Sequence, residues 1–287
     1  MNEKTVRERY SVGKGCFLTH TSGMGMQDTT LPFLHRNDEC AFFYFKRGSG
    51  SIQIEGRRYD IHEGDIFMIN PSELFLCRVD ENCYHERITL RVNRELLRGF
   101  DMPEDTLLSY FYRREKGGGN YIPARVMAEH RLGMYFEEIL SLVTSPSPVQ
   151  NLLAVCRVIE LLAKIQDIGE IASGQMPDGK NMNPLISSVV VYIHQHFREE
   201  LTIAQIAQAF HVDASYLSHL FRRETGMTLW NYVITCRINY FNRMLHQKRT
   251  IEEACSLAGF KNYSNFYRLY QKHMGMTPSE FRRAIEW

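Results

Sequence analysis

The 287-residue sequence predicts an α+β multidomain chain: an N-terminal antiparallel β-barrel with a helical hairpin, then a C-terminal all-α unit made of two similar copies. Three observations predict it. Residues 30–92 hold short apolar runs cut by glycine turn signals. Residues 120–171 carry apolar positions at helical spacing. Beyond residue 183 the text repeats itself at an offset of 49 residues. The boundaries drawn from these are 1–119 for the barrel, 120–172 for the helical region, 173–183 for a linker and 184–287 for the repeat.

Ala41 to Phe45, Ser51 to Ile54 and Asp65 to Ile69 are separated by Gly48-Ser49-Gly50, Glu55-Gly56 and Glu63-Gly64. Leu74 to Val79 and Tyr84 to Val92 extend the series, and short strands at this spacing predict an antiparallel barrel or sandwich. Arg94-Glu95-Leu96-Leu97 begins helical text. Met127 to Val143 and Leu152 to Ile168 form a hairpin, broken by Ser145-Pro146-Ser147-Pro148. Its second arm carries an apolar stripe of Leu152, Val155, Ile159, Leu162 and Ile165, suited equally to packing on the barrel and to a dimer seam. Ala172 to Lys180 lacks periodicity and is rich in helix breakers, the composition of an interdomain linker.

In the repeat, Gly226-Met227-Thr228 recurs as Gly275-Met276-Thr277, and Leu217, Leu220, Phe221 and Tyr232 recur as Phe266, Leu269, Tyr270 and Phe281. Upstream, Ile203 corresponds to Ile251 at an offset of 48, so the second copy carries one extra residue in its turn. Thr202 with Gln205, and Thr250 with Glu253, have the spacing of capping boxes. Pro278 follows Thr277 at a first helical position, and Asp213 and Asn262 are natural N-caps. Helix, tight turn, capped second helix: this is the layout of a helix-turn-helix that reads DNA.

Each second helix separates into two faces. Leu217, Leu220, Phe221 and Glu224 mark the docked side of the first; Ser215, Ser218, His219 and Arg222 lie opposite. In the second, Phe266, Leu269 and Tyr270 dock, leaving Tyr263, Ser264, Tyr267, Arg268 and Gln271 outward. Such outward hydrogen-bonding groups suit base edges in a major groove. Leu229 to Met244 reads as one connecting helix of roughly 24 Å at about 1.5 Å per residue. With the width of the units added, that span sets two reading helices about one DNA turn, roughly 34 Å, apart. Arg223, Arg243, Lys261 and Lys272 are candidates for phosphate contacts, with Arg282 and Arg283 also available.

Ser215 to Gly226, Gly259-Phe260-Lys261-Asn262-Tyr263-Ser264-Asn265-Phe266 and Gly275 to Arg282 resemble the AraC/XylS family of bacterial regulators. The resemblance covers about residues 185–286 and implies a seven-helix domain with two recognition helices. Carried over by position, it implies base readers at Ser215, Ser218 and His219, then at Tyr263, Ser264 and Arg268. His219 stands where an arginine is common, Asn265 where an aromatic is usual, and Ala254-Cys255 replace the usual Ile-Ala. These departures bear on target sequence and affinity, not on the fold.

Phe33-Leu34-His35-Arg36-Asn37, Gly64-Asp65 and Asn70 to Leu74 resemble the cupin-like effector domain of the same family. A metal-binding cupin uses a His-x-His pair and further ligands. Here the pair reads His35-Arg36-Asn37, and Phe75 stands at a common downstream histidine. No metal or cofactor is therefore expected, and His35 is left as a candidate for the effector pocket. The leading reading is a non-enzymatic regulator that binds double-stranded DNA and a small-molecule effector as a homodimer. The alternative is a metal-dependent cupin enzyme fused to a DNA-binding module, which stoichiometric iron, manganese or zinc in purified protein would favour.

Bulk composition agrees. Residues 183–287 hold twelve Lys/Arg against eight Asp/Glu, a balance of +4, while the rest of the chain stands at −3. A basic end on an acidic body suits a phosphate-bearing partner for that end. The seven scattered cysteines contain no Cys-x-x-Cys pair, and most of them read as small buried hydrophobes. The charged start of the chain and the lack of a membrane-length apolar run predict a cytoplasmic, nucleoid-associated protein without membrane contact.

Overall fold

The computed structural model describes residues 6–24, 39–71, 73, 75–80, 82–98, 106–115, 117–145, 147–172 and 179–285. They divide into two compact units, the first ending at Lys180 and the second running from Asn181.

The first unit is built on β1 (Val6–Gly13), β2 (Cys16–Met24), β3 (Glu39–Arg47), β4 (Gly50–Ile54), β5 (Arg57–Ile61), β6 (Ile66–Ile69), β7 (Phe75–Val79), β8 (Tyr84–Asn93) and the short β9 (Tyr121–Ile122). All its ladders are antiparallel. The expected barrel is not closed. The strands form one sheet in the order β1-β2-β8-β3-β6-β9 and a second that runs β5-β4-β7 within this unit. Side chains fill the space between them instead: Phe43 meets Phe75 at 5.1 Å between ring centres, and Phe67 meets Tyr59 at 5.8 Å.

The first two strands were not foreseen. Val6–Gly13 is mostly exposed and charged, so the period-2 signal of a strand is hidden along a sheet edge. On the outer face of the large sheet, Leu18, Phe42, Met68, Ile88, Leu90 and Val92 share one core with the helices. These are α1 (Glu95–Arg98), α2 (Ser109–Arg113), α3 (Ala124–Glu129), α4 (Leu132–Thr144) and α5 (Pro148–Ala172). The predicted helix from Met127 to Val143 is two helices, because Arg131 adopts a left-handed backbone (φ 53°) between α3 and α4. Of the α5 stripe, Leu162 and Ile165 are fully buried and Val155 and Ile159 pack on the core, whereas Leu152 is 61% exposed. Intramolecular packing accounts for most of that stripe.

Two buried carboxylates pin the loops of this unit. Asp65 accepts hydrogen bonds from the backbone N–H of His62 (2.8 Å) and Ala124 (2.9 Å) and from the Tyr121 hydroxyl (3.1 Å). The turn before it needs glycine: Gly64 has φ 88°, and a Cβ there would stand 3.0 Å from that of Ala124. Glu73 accepts from the N–H of Asn70 and Gly117, from Asn120 Nδ2 and from Arg114 Nη2, all within 2.7–2.9 Å. The Gly-Asp turn and the Asn-Pro segment singled out in the sequence are thus anchoring points. Phe75 is a buried core ring, and His35 lies outside the described residues.

The second unit contains α6 (Pro184–His196), α7 (Ile203–Ala209), α8 (Ala214–Thr225), α9 (Leu229–His246), α10 (Ile251–Leu257), α11 (Tyr263–Met274) and α12 (Pro278–Ile285). It has two cores. One gathers α6, α7 and α8 around Leu229, Tyr232, Val233 and Cys236 of α9; the other gathers α10 and α11 around Ile238, Phe241, Met244 and Leu245 of the same helix. One connecting helix therefore serves both copies, as its apolar content predicts. Five of the seven cysteines are buried, all seven are free thiols, and Cys156 is exposed. Among the described residues no helix is long and apolar enough to cross a membrane.

Candidate nucleic-acid interface

Local chemistry builds the two copies alike. Thr202 with Gln205 and Thr250 with Glu253 form reciprocal capping boxes at the starts of α7 and α10. Asp213 caps α8 through the N–H groups of Ser215 and Tyr216, and Asn262 caps α11 through that of Asn265. Both second helices have 12 residues and stop at a left-handed glycine, Gly226 and Gly275. The extra residue falls in the second turn, as the change of offset from 48 to 49 requires. Within those turns the left-handed position is kept: His211 (φ 54°) in the first copy, Gly259 (φ 82°) in the second. Only the second demands glycine for space, since a Cβ at Gly259 would stand 2.4 Å from the Arg198 carbonyl oxygen.

The two faces of each second helix separate as the spacing predicts. Leu217, Leu220 and Phe221 are buried on α8, and Phe266 and Tyr270 on α11, with Leu269 half-buried. Ser215, His219, Arg222 and Arg223 are exposed on α8. Ser218 is half-buried, and its hydroxyl donates to the Ala214 carbonyl at 2.7 Å within its own helix. On α11, Tyr263, Ser264, Arg268, Gln271 and Lys272 are exposed and Tyr267 is half-buried. Sequence reasoning passed over Tyr216 (55% exposed) and its counterpart Asn265, also exposed, although the offset of 49 pairs them.

Three of the four phosphate candidates are engaged inside the unit. Arg223 pairs with the neighbouring Glu224 at 3.5 Å. Lys261 forms an ion pair with Glu200. Arg243 is half-buried with its guanidinium 4.6 Å from the centre of the Tyr240 ring.

One buried cation ties the copies together. Arg237, in the middle of α9, donates from Nε to the Phe197 carbonyl and from Nη2 to the Glu199 carbonyl, both at 2.7 Å. Its guanidinium also stands 5.7 Å from the centre of the Phe260 ring, in the turn of the second copy. The chain end of α6 and the second turn are therefore held on one side chain.

His194, near the end of α6, sits against Tyr232 with Nε2 2.7 Å from the hydroxyl, and burial lowers its pKa to about 4. The folded unit thus favours neutral imidazole, while the unfolded chain takes up a proton near pH 6.5. Stability is complete above pH 6.5 and is lost as pH falls toward 4. The chain has two tryptophans, and Trp230 lies on α9, so its fluorescence reports the unfolding of this unit. Urea titrations should show a loss of about 2 kcal/mol between pH 7.5 and pH 5. His194→Gln should flatten that slope; an unchanged slope would assign the effect to other groups.

Known proteins share both parts of this architecture. The profile of a helix-turn-helix domain matches residues 206–284, and that of the AraC-like ligand binding domain matches residues 18–162, half of the chain. The chain belongs to the AraC family. Along most of its length it is similar to the uncharacterized HTH-type transcriptional regulator YobQ of Bacillus subtilis (strain 168), at 23% identity over 90% of this chain and 91% of that protein. Similarity to the Msm operon regulatory protein of Streptococcus mutans reaches 21% identity over 87% of this chain and 86% of that one. Among solved structures, ToxT from Vibrio cholerae O395 aligns over 98% of this chain and 97% of its own, at 13% identity and a TM-score of 0.41. As an AraC-family regulator the chain pairs a DNA-binding domain with an effector-binding domain.

Proposed function

We propose that this regulator reads two successive major grooves of a duplex, with α8 in one and α11 in the next. The observation that carries this is the equivalence of the two helices: Leu217 and Phe221 are buried as are their counterparts Phe266 and Tyr270, and Ser215, His219 and Arg222 are exposed as are Ser264, Arg268 and Gln271. Ser215, Ser218, His219 and Arg222, joined by Tyr216, form the first reading face. Tyr263, Ser264, Tyr267, Arg268 and Gln271, joined by Asn265, form the second. Arg223 and Lys272 lie beside them for phosphates, and Lys261 becomes available if the duplex displaces Glu200. The first unit receives a small-molecule effector, and Val149, Leu152 and Leu153, 48–67% exposed at the start of α5, supply the apolar surface for a homodimer. Effector binding then acts by differential affinity for two arrangements of the DNA-binding units.

The test begins with an operator selected from random DNA by the purified protein. Arg268→Ala should cost about 1–3 kcal/mol on that operator and much less on scrambled duplex. Equal losses on both would reduce Arg268 to a phosphate contact. A selection that enriches no sequence would remove the reading altogether.

A further inference from the structure

The two reading helices are built alike but carry different chemistry. At the offset of 49 residues, Tyr216, His219 and Arg222 on α8 correspond to Asn265, Arg268 and Gln271 on α11, and all six are exposed. In each helix the three stand three residues apart, so they form one ridge that crosses the outward face. Three residues advance a helix by about 4.5 Å, close to the roughly 3.4 Å between successive base pairs. Each ridge can thus address about three neighbouring base pairs, one side chain to each.

The ridges differ in what they can pair with. A guanidinium only donates, and its fork matches the two adjacent acceptors on the major-groove edge of guanine. A carboxamide both donates and accepts, and so matches adenine, which offers one acceptor beside one donor. The α11 ridge holds a guanidinium between two carboxamides. The α8 ridge holds a phenol, an imidazole and a guanidinium, and no carboxamide occurs anywhere in α8. Ser215 and Ser264 occupy equivalent positions and do not distinguish the copies.

Among the described residues, the fold makes no use of these two carboxamides. The cap of α11 is Asn262, whose side chain accepts from the Asn265 N–H at 2.9 Å. Gln271 helps to close the helix through its main-chain carbonyl, which accepts from the Gly275 N–H. Both side chains are left to solvent. Asparagine is also a weak helix former, so Asn265 costs α11 stability without a compensating bond inside the unit.

We infer that the two elements of the operator are unlike. Under α11 lies a guanine read by Arg268, with an adenine on each side read by Asn265 and Gln271. Under α8 lies a guanine read by Arg222 at the end of its ridge, with no adenine-specific contact. Either strand can carry the adenines, since both present their edges in the major groove. This rests on the two-groove reading above and names the bases it recognises.

The test starts from the operator that the full chain selects from random DNA, with binding measured at one fixed salt concentration. One of its two elements should contain the guanine flanked by A·T pairs. Asn265→Ala and Gln271→Ala should each weaken binding by about tenfold. Each should also abolish the preference for an A·T pair at one position, a different position for each variant, and leave the others unchanged. Neither should lower the urea midpoint, since alanine is the better helix former. In a repeated selection, the graft Tyr216→Asn/His219→Arg/Arg222→Gln should convert the first element into a second copy of the other. If the graft lowers the urea midpoint, the two alanine variants decide.

Two selected elements with no change of base preference in either alanine variant would overturn the assignment and leave the two-groove reading standing. So would a lost preference for a G·C pair, or a graft of intact stability that selects the parent operator. Equal weakening on operator and scrambled duplex would make the amides phosphate contacts and overturn it as well. A selection that enriches no sequence, or a single element, removes the two-groove reading and this assignment with it.

Discussion

Arg237→Met is expected to destabilise the DNA-binding unit by about 3–5 kcal/mol, measured as the urea midpoint of tryptophan fluorescence. The side chain is 7% exposed and gives charged hydrogen bonds to two backbone carbonyls that close the end of α6. Methionine matches the length of the stem and fills the space, but it leaves both oxygens without their donor. The cost is therefore that of unsatisfied acceptors rather than of a cavity.

The same substitution should alter how DNA is read, and in a way that stability loss alone does not produce. Two rigidly joined reading helices bind as one body, so the second contact benefits from a high effective concentration at one spacing only. Binding by the parent protein should fall steeply, roughly tenfold or more, when one or two base pairs are inserted between the two recognised elements. In Arg237→Met, assayed below its unfolding range, binding to the parent operator should weaken while the penalty for insertion shrinks. A variant that binds more weakly at every spacing, with the insertion penalty intact, would show that Arg237 supports folding without setting the distance between the helices.

What the sequence made legible here follows from how locally each feature is determined. Capping boxes, N-cap residues and terminal glycines act within three or four residues, so Thr202, Asp213, Thr250, Asn262 and Gly275 announce the helix ends directly. Burial on α8 and α11 follows from a 3.6-residue period, and the internal repeat supplies each assignment twice. Pairings across long stretches of chain carry no such mark. Nothing near Lys261 points to Glu200, sixty-one residues earlier. Arg237 did leave a trace, a lone cation between Cys236 and Ile238 in an apolar stretch, but its partners Phe197 and Glu199 are backbone carbonyls and have no side-chain signature. The unclosed barrel and the strand at Val6–Gly13 were missed for a related reason. Closure depends on hydrogen bonding between distant strands, and an edge strand is free to carry charge on both faces.

In the first unit the largest effect is expected at Glu73. Glu73→Ala should cost about 3–5 kcal/mol, read as a lower urea midpoint in far-ultraviolet circular dichroism of the full chain. Its carboxylate is fully buried and accepts four hydrogen bonds, two from backbone N–H groups, one from Asn120 and one from the Arg114 guanidinium. Removing it strands a buried cation and three neutral donors at once. Arg114→Met should cost less, because the carboxylate keeps three of its four donors and the Met68 carbonyl keeps Asn120, so that only the Gly118 carbonyl loses its side-chain donor. That inequality separates two accounts of the motif between Asn70 and Phe75. If the ion pair were the source of stability, both single variants would lose similar amounts and the double variant Glu73→Ala/Arg114→Met would recover most of the loss. If Glu73 instead organises the backbone of two loops around one pair of oxygens, the double variant stays close to Glu73→Ala, since the N–H groups of Asn70 and Gly117 still lack an acceptor. The four donors, drawn from segments more than forty residues apart, favour the second account.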